Sequence, residues 1–321
     1  MGLKNNMRFY AGQVSSRLDD PMKELSEKTK FNIRQEALIL GQEFKSAGVK
    51  TKLVKQLSIN DFKQLVSYLI LKGDRAGTIE NKATAVRQIA KEAGNIALVN
   101  AINSEIGVPG RNVLNIDNKN FAAVISENSL KKLESGKHPE VAAALRLEAA
   151  YGLRREESAH VVFELTKGHI VTAPGKENIL TMKGSWCKGG RQRGKINTFN
   201  GRPNGELILR DYGAILKKVA GAVKGININY RLEQFERKIN YAADKCKKWD
   251  DNPNIHPHAL RHNYAHERYY EITGRDCPAA GGLKYQDMSE FQQKEYDKAC
   301  GIIANELGHT RDTISRTYIG K

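Results

Sequence analysis

The sequence predicts a mainly α-helical chain with a small β-sheet, an α+β class, on three observations. From Phe31 to about Ile106 apolar residues recur at helical spacing between capping and terminating residues. Residues 161–199 change to short apolar segments separated by Gly-containing turns, the pattern of strands. After about Glu206 the helical spacing returns and continues to the end. A length of 321 residues leaves room for two domains, each burying its own core.

Taken in order, residues 1–30 are polar and weakly periodic and read as a lead-in. Phe31, Ile33, Ala37, Leu38, Leu40 and Phe44 mark a first helix ending near Gly48. Ser58, with Asp61 three positions on, is a capping arrangement before Phe62, Leu65, Val66, Leu69 and Ile70. Thr78–Ala93 carries Ala83, Val86, Ile89 and Ala90 on one stripe and stops at Gly94. A fourth helix is expected over Ile96–Ile106, ending at Gly107. These helices form a unit over 31–108 that contains neither cysteine nor histidine.

Val108-Pro109-Gly110-Arg111-Asn112 holds the breakers of a linker, placed at 109–118, with a second domain over 119–321. Pro139–Tyr151 is an Ala- and Leu-rich helix that runs directly into Gly152-Leu153-Arg154. Short strands are expected at Val161–Phe163, His169–Ala173, Ile179–Met182 and Ile196–Phe199. No internal repeat or low-complexity tract interrupts this order.

Lys and Arg number 52 against 36 Asp and Glu, a net charge of +16 and a pI near 9.6. Such an excess favours a polyanionic partner, because each phosphate neutralised releases condensed counterions. No run approaches the length of a membrane span, and the start lacks the apolar core of a signal peptide. Gly2 is not followed by Ser or Thr at position 6, so no myristoylation is expected. Cys187, Cys246, Cys277 and Cys300 lie far apart and suit reduced thiols. The expected location is cytoplasmic, associated with the nucleoid.

Chemistry concentrates in the second domain. His258 and Arg261 are three apart, so on one helix they share a face, and Pro257 suits its first turn. His258, His262 and His266 also repeat at zinc-like spacing, but without the acidic or cysteine partners of a metal site. Arg154 offers a planar fork that matches phosphate oxygens, with Glu157 placed to orient it. Tyr318 follows His309 by nine positions. One unbroken helix would set the two on opposite faces, roughly 13 Å apart along the axis. A break is therefore expected at Thr310-Arg311-Asp312, with Thr310 or Asp312 capping a new helix.

Assembled, these residues resemble the tyrosine recombinase (phage integrase) family. Ala149-Ala150-Tyr151-Gly152-Leu153-Arg154 is similar to the segment bearing the first family arginine. His258-Ala259-Leu260-Arg261-His262 resembles the His-x-x-Arg signature, and Leu307-Gly308-His309 keeps the family spacing to Tyr318. Lys188-Gly189-Gly190-Arg191 resembles the hairpin turn carrying the family lysine, with Lys183 and Lys195 as rivals. Thr78–Gly94 resembles part of the core-binding domain, so the likeness runs from about residue 30 onward.

The resemblance implies a helical, SAM-like core-binding domain that binds DNA, followed by a catalytic domain. It implies that Tyr318 attacks the scissile phosphate and forms a 3′-phosphotyrosine. Arg154, Arg261 and His309 would stabilise the charged phosphate, His258 would assist proton transfer, and Lys188 would protonate the leaving oxygen. It implies no metal or other cofactor. The partners would be double-stranded DNA and three further copies in a homotetramer, with room for an accessory DNA-bending protein. The alternatives weighed are a type IB topoisomerase and a non-catalytic DNA-binding accessory protein of the same fold.

Three features depart from the family pattern. His309 follows Arg261 by 48 positions, about twice the expected interval, with an insertion assigned to Arg275–Glu295. Arg155 and Glu156 are charged where apolar or small residues are usual. Only Ile319-Gly320-Lys321 follow Tyr318, where many relatives use a longer tail to dock on a neighbour. The insertion is the candidate substitute for that tail.

Overall fold

A computed structural model describes residues 27–50, 53–110, 118–136, 138–169, 171–173, 176–180, 182–187, 212–309 and 311–321. Of the lead-in expected at 1–30, residues 1–26 lie outside these residues and 27–30 are helical; the strand at Ile196–Phe199, the hairpin lysine Lys188 and its rival Lys195 also lie outside. The chain divides into two compact units, Met1–Leu114 and Asn115–Lys321.

The first unit is built from α1 (Glu27–Ser46), α2 (Ile59–Leu71), α3 (Ala76–Ala93), α4 (Ile96–Asn100) and α5 (Asn103–Ile106). α2 starts where Ser58 accepts from the Asp61 N–H while the Asp61 carboxylate accepts from the Ser58 N–H at 2.7 Å, the reciprocal cap the sequence predicts. Phe62, Leu65, Val66 and Leu69 then fall on one buried stripe. α3 ends at Gly94, whose φ of +73° suits a residue without Cβ. The expected fourth helix is two short ones, because the chain is extended at Ala101 and Ile102 before α5 begins.

The second unit continues with α6 (Glu127–Ser135), α7 (Pro139–Tyr151), α8 (Arg155–Thr166), α9 (Tyr212–Val223), α10 (Leu232–Trp249), α11 (Pro257–Thr273), α12 (Glu290–Glu306) and α13 (Arg316–Ile319). α7 is apolar nearly all round and runs through the middle, packed by α6, α8, α9, α10 and α11. An ion cluster on it, Arg146 with Glu127 and Glu134 at 2.6 and 2.7 Å, ties α6 to the core.

The α+β expectation is corrected here. Among the described residues the only β structure is one antiparallel pairing of β1 (Thr172–Ala173) with β2 (Lys176–Leu180), which is no sheet layer. Val161–Phe163, expected as a strand, lies inside α8. A short apolar run has no period of its own. Here Ser158, Val161, Val162 and Leu165 recur at helical spacing, and Glu157 accepts from the Arg154 N–H to start the helix. The core of the second unit is thus built mainly from helices, with Leu180 of β2 packed against them.

A second apolar cluster, separate from that around α7, includes Tyr264, Tyr269, Cys277, Met288, Tyr296, Cys300, Ile303, Leu307, Tyr318 and Ile319. The expected insertion at 275–295 contributes to it. Two 3-10 turns, Pro278–Ala280 and Tyr285–Asp287, place Ala279 and Met288 there, and α12 begins at Glu290.

Candidate active site

Three stretches far apart in sequence meet at Arg261. The first is the turn at Gly152, which closes α7 with φ of +58°. A Cβ at Gly152 would stand 2.5 Å from the Tyr264 ring and 2.7 Å from Leu307, so no other residue fits. That close approach delivers the Gly152 carbonyl to the Arg261 guanidinium, whose Nη1 donates to it. The second is the end of α12, where the Leu307 carbonyl accepts from Arg261 Nη2 at 2.6 Å. The third is α13, whose Tyr318 hydroxyl accepts from Arg261 Nε at 3.3 Å.

Arg261 is wholly buried, and a charge so placed needs acceptors on every side. The two carbonyls and the Glu157 carboxylate, 4.0 Å from Nη1, meet that demand. Arg261 Nη2 also lies 3.2 Å from His309 Nε2. Guanidinium has no acceptor, so in this contact His309 Nε2 is the accepting nitrogen. Arg154, partly exposed, caps α8 and is held by Glu157 at 2.8 Å. Glu157 thereby links both arginines.

The end of α12 is itself fixed from behind. Arg268, buried on α11, donates to both oxygens of Glu306 at 2.8–3.1 Å, and the Tyr264 hydroxyl donates to Glu306 at 2.8 Å. These bonds fix the residue immediately before Leu307, whose carbonyl Arg261 uses.

Tyr318 is buried within a ring of three histidines and an arginine. Ring centroids of His262, His258 and His309 lie 4.6, 5.7 and 5.7 Å from its own, and the Arg261 guanidinium carbon stands 5.6 Å from it. The break required between His309 and Tyr318 is present. α12 ends at Glu306, a 3-10 turn spans Asp312–Ile314, and α13 starts after Ser315 rather than at a Thr310 or Asp312 cap. Thr310 lies outside the described residues.

Burial and neighbouring charge keep His258 and His262 neutral at physiological pH. Burial, then the charges of His258 and His266, pushes His262 down to about 4. His258, exposed at its outer face, is held below the ordinary histidine range by desolvation and then by Arg261, His256 and Arg154. His256 caps α11 by accepting from the Ala259 N–H at 3.1 Å, which sets the helix that carries His258 and Arg261.

The site therefore brings together Arg261, His258, His309 and Tyr318 directly, and Arg154 through Glu157. Lys188 is not among the described residues. Lys183 is described, and its ammonium lies over the Trp186 ring at 5.0 Å and 3.7 Å from Glu164. The sequence reading missed His262 and His266 as neighbours of the tyrosine. Their signal was the i, i+4, i+8 spacing from His258, weighed only as a zinc pattern. Among the described residues no three His, Cys, Asp or Glu side chains are grouped so as to hold a metal ion.

No protein-family profile matches the sequence, and no curated protein matches it. Solved structures do. The Tn1549 transposon integrase in complex with circular intermediate DNA matches with a TM-score of 0.51 at 14% identity, over 98% of this chain and 95% of that one. A lambda integrase dimer bound to a COC′ core site matches with a TM-score of 0.52 at 14% identity, over 99% and 95%. At that identity the likeness is one of fold, and the chain has the fold of the tyrosine recombinase integrases. No described helix is long and apolar enough to cross a membrane.

Proposed function

We propose that the chain is a site-specific DNA recombinase that cuts and rejoins duplex DNA through Tyr318. The observation that carries this reading is the set of bonds at Arg261, which joins the Tyr318 hydroxyl and His309 around one buried guanidinium. A tyrosine kept only for packing needs no such neighbours. Double-stranded DNA is the partner, supported by the net charge of +16 and by the DNA present in both similar structures.

In the first step the Tyr318 oxygen attacks the scissile phosphorus, the bond to the 5′ oxygen breaks, and a 3′-phosphotyrosine forms. The 5′ oxygen leaves with a proton supplied by Lys188. His258, neutral at physiological pH, takes the tyrosine proton. Arg154, Arg261 and His309 stabilise the charge that develops on the phosphoryl oxygens. Attack of a new 5′ hydroxyl reverses the step and restores the tyrosine. The bond energy stays in the protein–DNA link, so no metal or nucleotide cofactor enters.

The helical unit would bind the DNA alongside the catalytic unit, and four protomers would exchange strands to integrate or excise a mobile element, with an accessory DNA-bending protein where the site requires one. The protein would act in the cytoplasm, at the nucleoid.

The test uses a pool of nicked suicide duplexes with a randomised core. A covalent protein–DNA band that disappears in Tyr318→Phe is expected. Clear binding without a band would favour a non-catalytic DNA-binding protein. Captured sequences built into plasmids then separate the enzymes, since recombinant joints are expected and relaxed circles without joints would mark a topoisomerase.

A further inference from the structure

We propose that His266 is a positioning residue for the nucleophile, holding the main chain of Tyr318 through its Nε2–H. The inference rests on Tyr318 acting as proposed above and concerns how that residue is held in place.

α13 spans only Arg316–Ile319 and has no side-chain cap at its start. A single turn is not stable by itself, so its place is set by what it touches. The rings around Tyr318 fix its side chain, but a rotation of the turn would still carry the hydroxyl away from Arg261. The main chain needs its own anchors. As one of the last carbonyls of a helix, that of Tyr318 has no partner within the turn. His266 Nε2 stands 2.9 Å from it.

His266 is buried, and burial holds its pKa below the ordinary range, so the ring is neutral. A neutral imidazole has one N–H, and the carbonyl can only accept, which assigns that proton to Nε2. With Nε2 engaged, the ring serves as a fixed donor rather than a proton relay. A second anchor lies just beyond, where the Tyr296 hydroxyl donates to the Gly320 carbonyl. Gly320 itself has φ of +80°, and a Cβ there would stand 2.7 Å from the Ala279 nitrogen.

The placement of His266 gives this contact its meaning. It lies five residues beyond Arg261 on α11, about 7.5 Å along one axis. One rigid helix thus carries the guanidinium that meets the tyrosine hydroxyl and the imidazole that meets the tyrosine carbonyl. The nucleophile and its arginine are set against the same ruler, which matters because misplacement by about 1 Å costs on the order of 10²-fold in rate.

Two measurements test this. The first is single-turnover covalent capture, with DNA affinity measured in parallel, on duplexes that the wild-type protein selects from the randomised nicked pool. His266→Leu removes the donor and should slow capture by about 10-fold to 10²-fold while leaving DNA affinity near wild type. His266→Gln places an amide N–H where Nε2 stood and should restore capture. His266→Asn, too short to reach, should not; this pair carries the test if the leucine variant does not fold. Capture by His266→Leu at the wild-type rate, or equal failure of the Gln and Asn variants, would overturn the proposal. Failure of the wild type to capture any duplex would instead overturn the recombinase reading. The second measurement is independent of activity: ¹⁵N spectra of the histidine rings should show His266 as the neutral Nε2–H form, and an Nδ1–H form would overturn the proposal.

Discussion

Charge is buried in both units of the chain, and to different ends. In Met1–Leu114, Glu43 and Asp74 share Lys82 at 2.5 and 2.8 Å, and Asn95 donates to the carbonyls of Val54 and Leu57. These bonds staple loops to helices. Around Tyr318 the polar groups meet at a single residue, with Arg261 donating to its hydroxyl and His258, His262 and His309 against its ring. The first arrangement can be cut with a loss of stability alone. The second should lose chemistry when cut, even where the fold survives.

The largest effect that would sharpen this contrast is expected from Arg261→Lys. The ammonium keeps the charge but cannot serve Gly152, Leu307, Tyr318 and His309 at once. Covalent capture should fall by roughly 10²–10³-fold, the usual cost of losing a preorganised donor. Retention of the wild-type rate would place the chemistry elsewhere. Gly152→Ala comes next, since its Cβ would overlap Tyr264 and Leu307 at a left-handed backbone position. A loss of about 2–4 kcal/mol in denaturant unfolding is expected, together with weaker capture, because the clash falls on the elements that seat Arg261.

Acid should act on the same region. His262 sits at about 4 when folded and near its ordinary value of about 6.5 when unfolded, so the unfolded chain takes the proton first. Its contribution is complete above pH 6.5 and is lost as the pH falls toward 4, up to about 3 kcal/mol. Wild type should lose that much more stability over this window than His262→Phe, read as the difference in their unfolding midpoints. Parallel curves would show that His262 is not held neutral. The smallest effect belongs to the first unit. Asn95→Ala removes the side-chain donor from two carbonyls, of which that of Val54 keeps the Leu57 N–H, and should cost about 1–3 kcal/mol, with no change in the rate of capture per bound DNA. A slowed chemical step in that variant would break the contrast.

The two regions also differed in how far they could be read from sequence. In the first unit the Ser58–Asp61 cap, the Phe62–Leu69 stripe and the Gly94 stop are local, and each formed where its spacing put it. The fourth helix reads as continuous because nothing in Ala101-Ile102 marks the extended break the structure shows there. In the second unit, α7 and its Gly152 end are legible, while Val161–Phe163 reads as a strand because a short apolar run looks the same in either state. The residues Arg154, His258, Arg261, His309 and Tyr318 were legible as a set only through their order and resemblance. Their meeting point was not, since Arg261 touches Gly152, Leu307 and Tyr318 across separations of 109, 46 and 57 residues. The roles of His262 and His266 depend on where α13 lands, which no local pattern encodes.

On the proposed function, Arg261 and the histidines of the second unit converge on Tyr318 because it becomes joined to DNA. The most direct measurement is mass spectrometry of proteolysed covalent product captured on the nicked duplex pool. A peptide containing Tyr318 with a 3′-phosphonucleotide on its phenolic oxygen is the expected result. An adduct on any other residue, or captured DNA with Tyr318 unmodified, would contradict it.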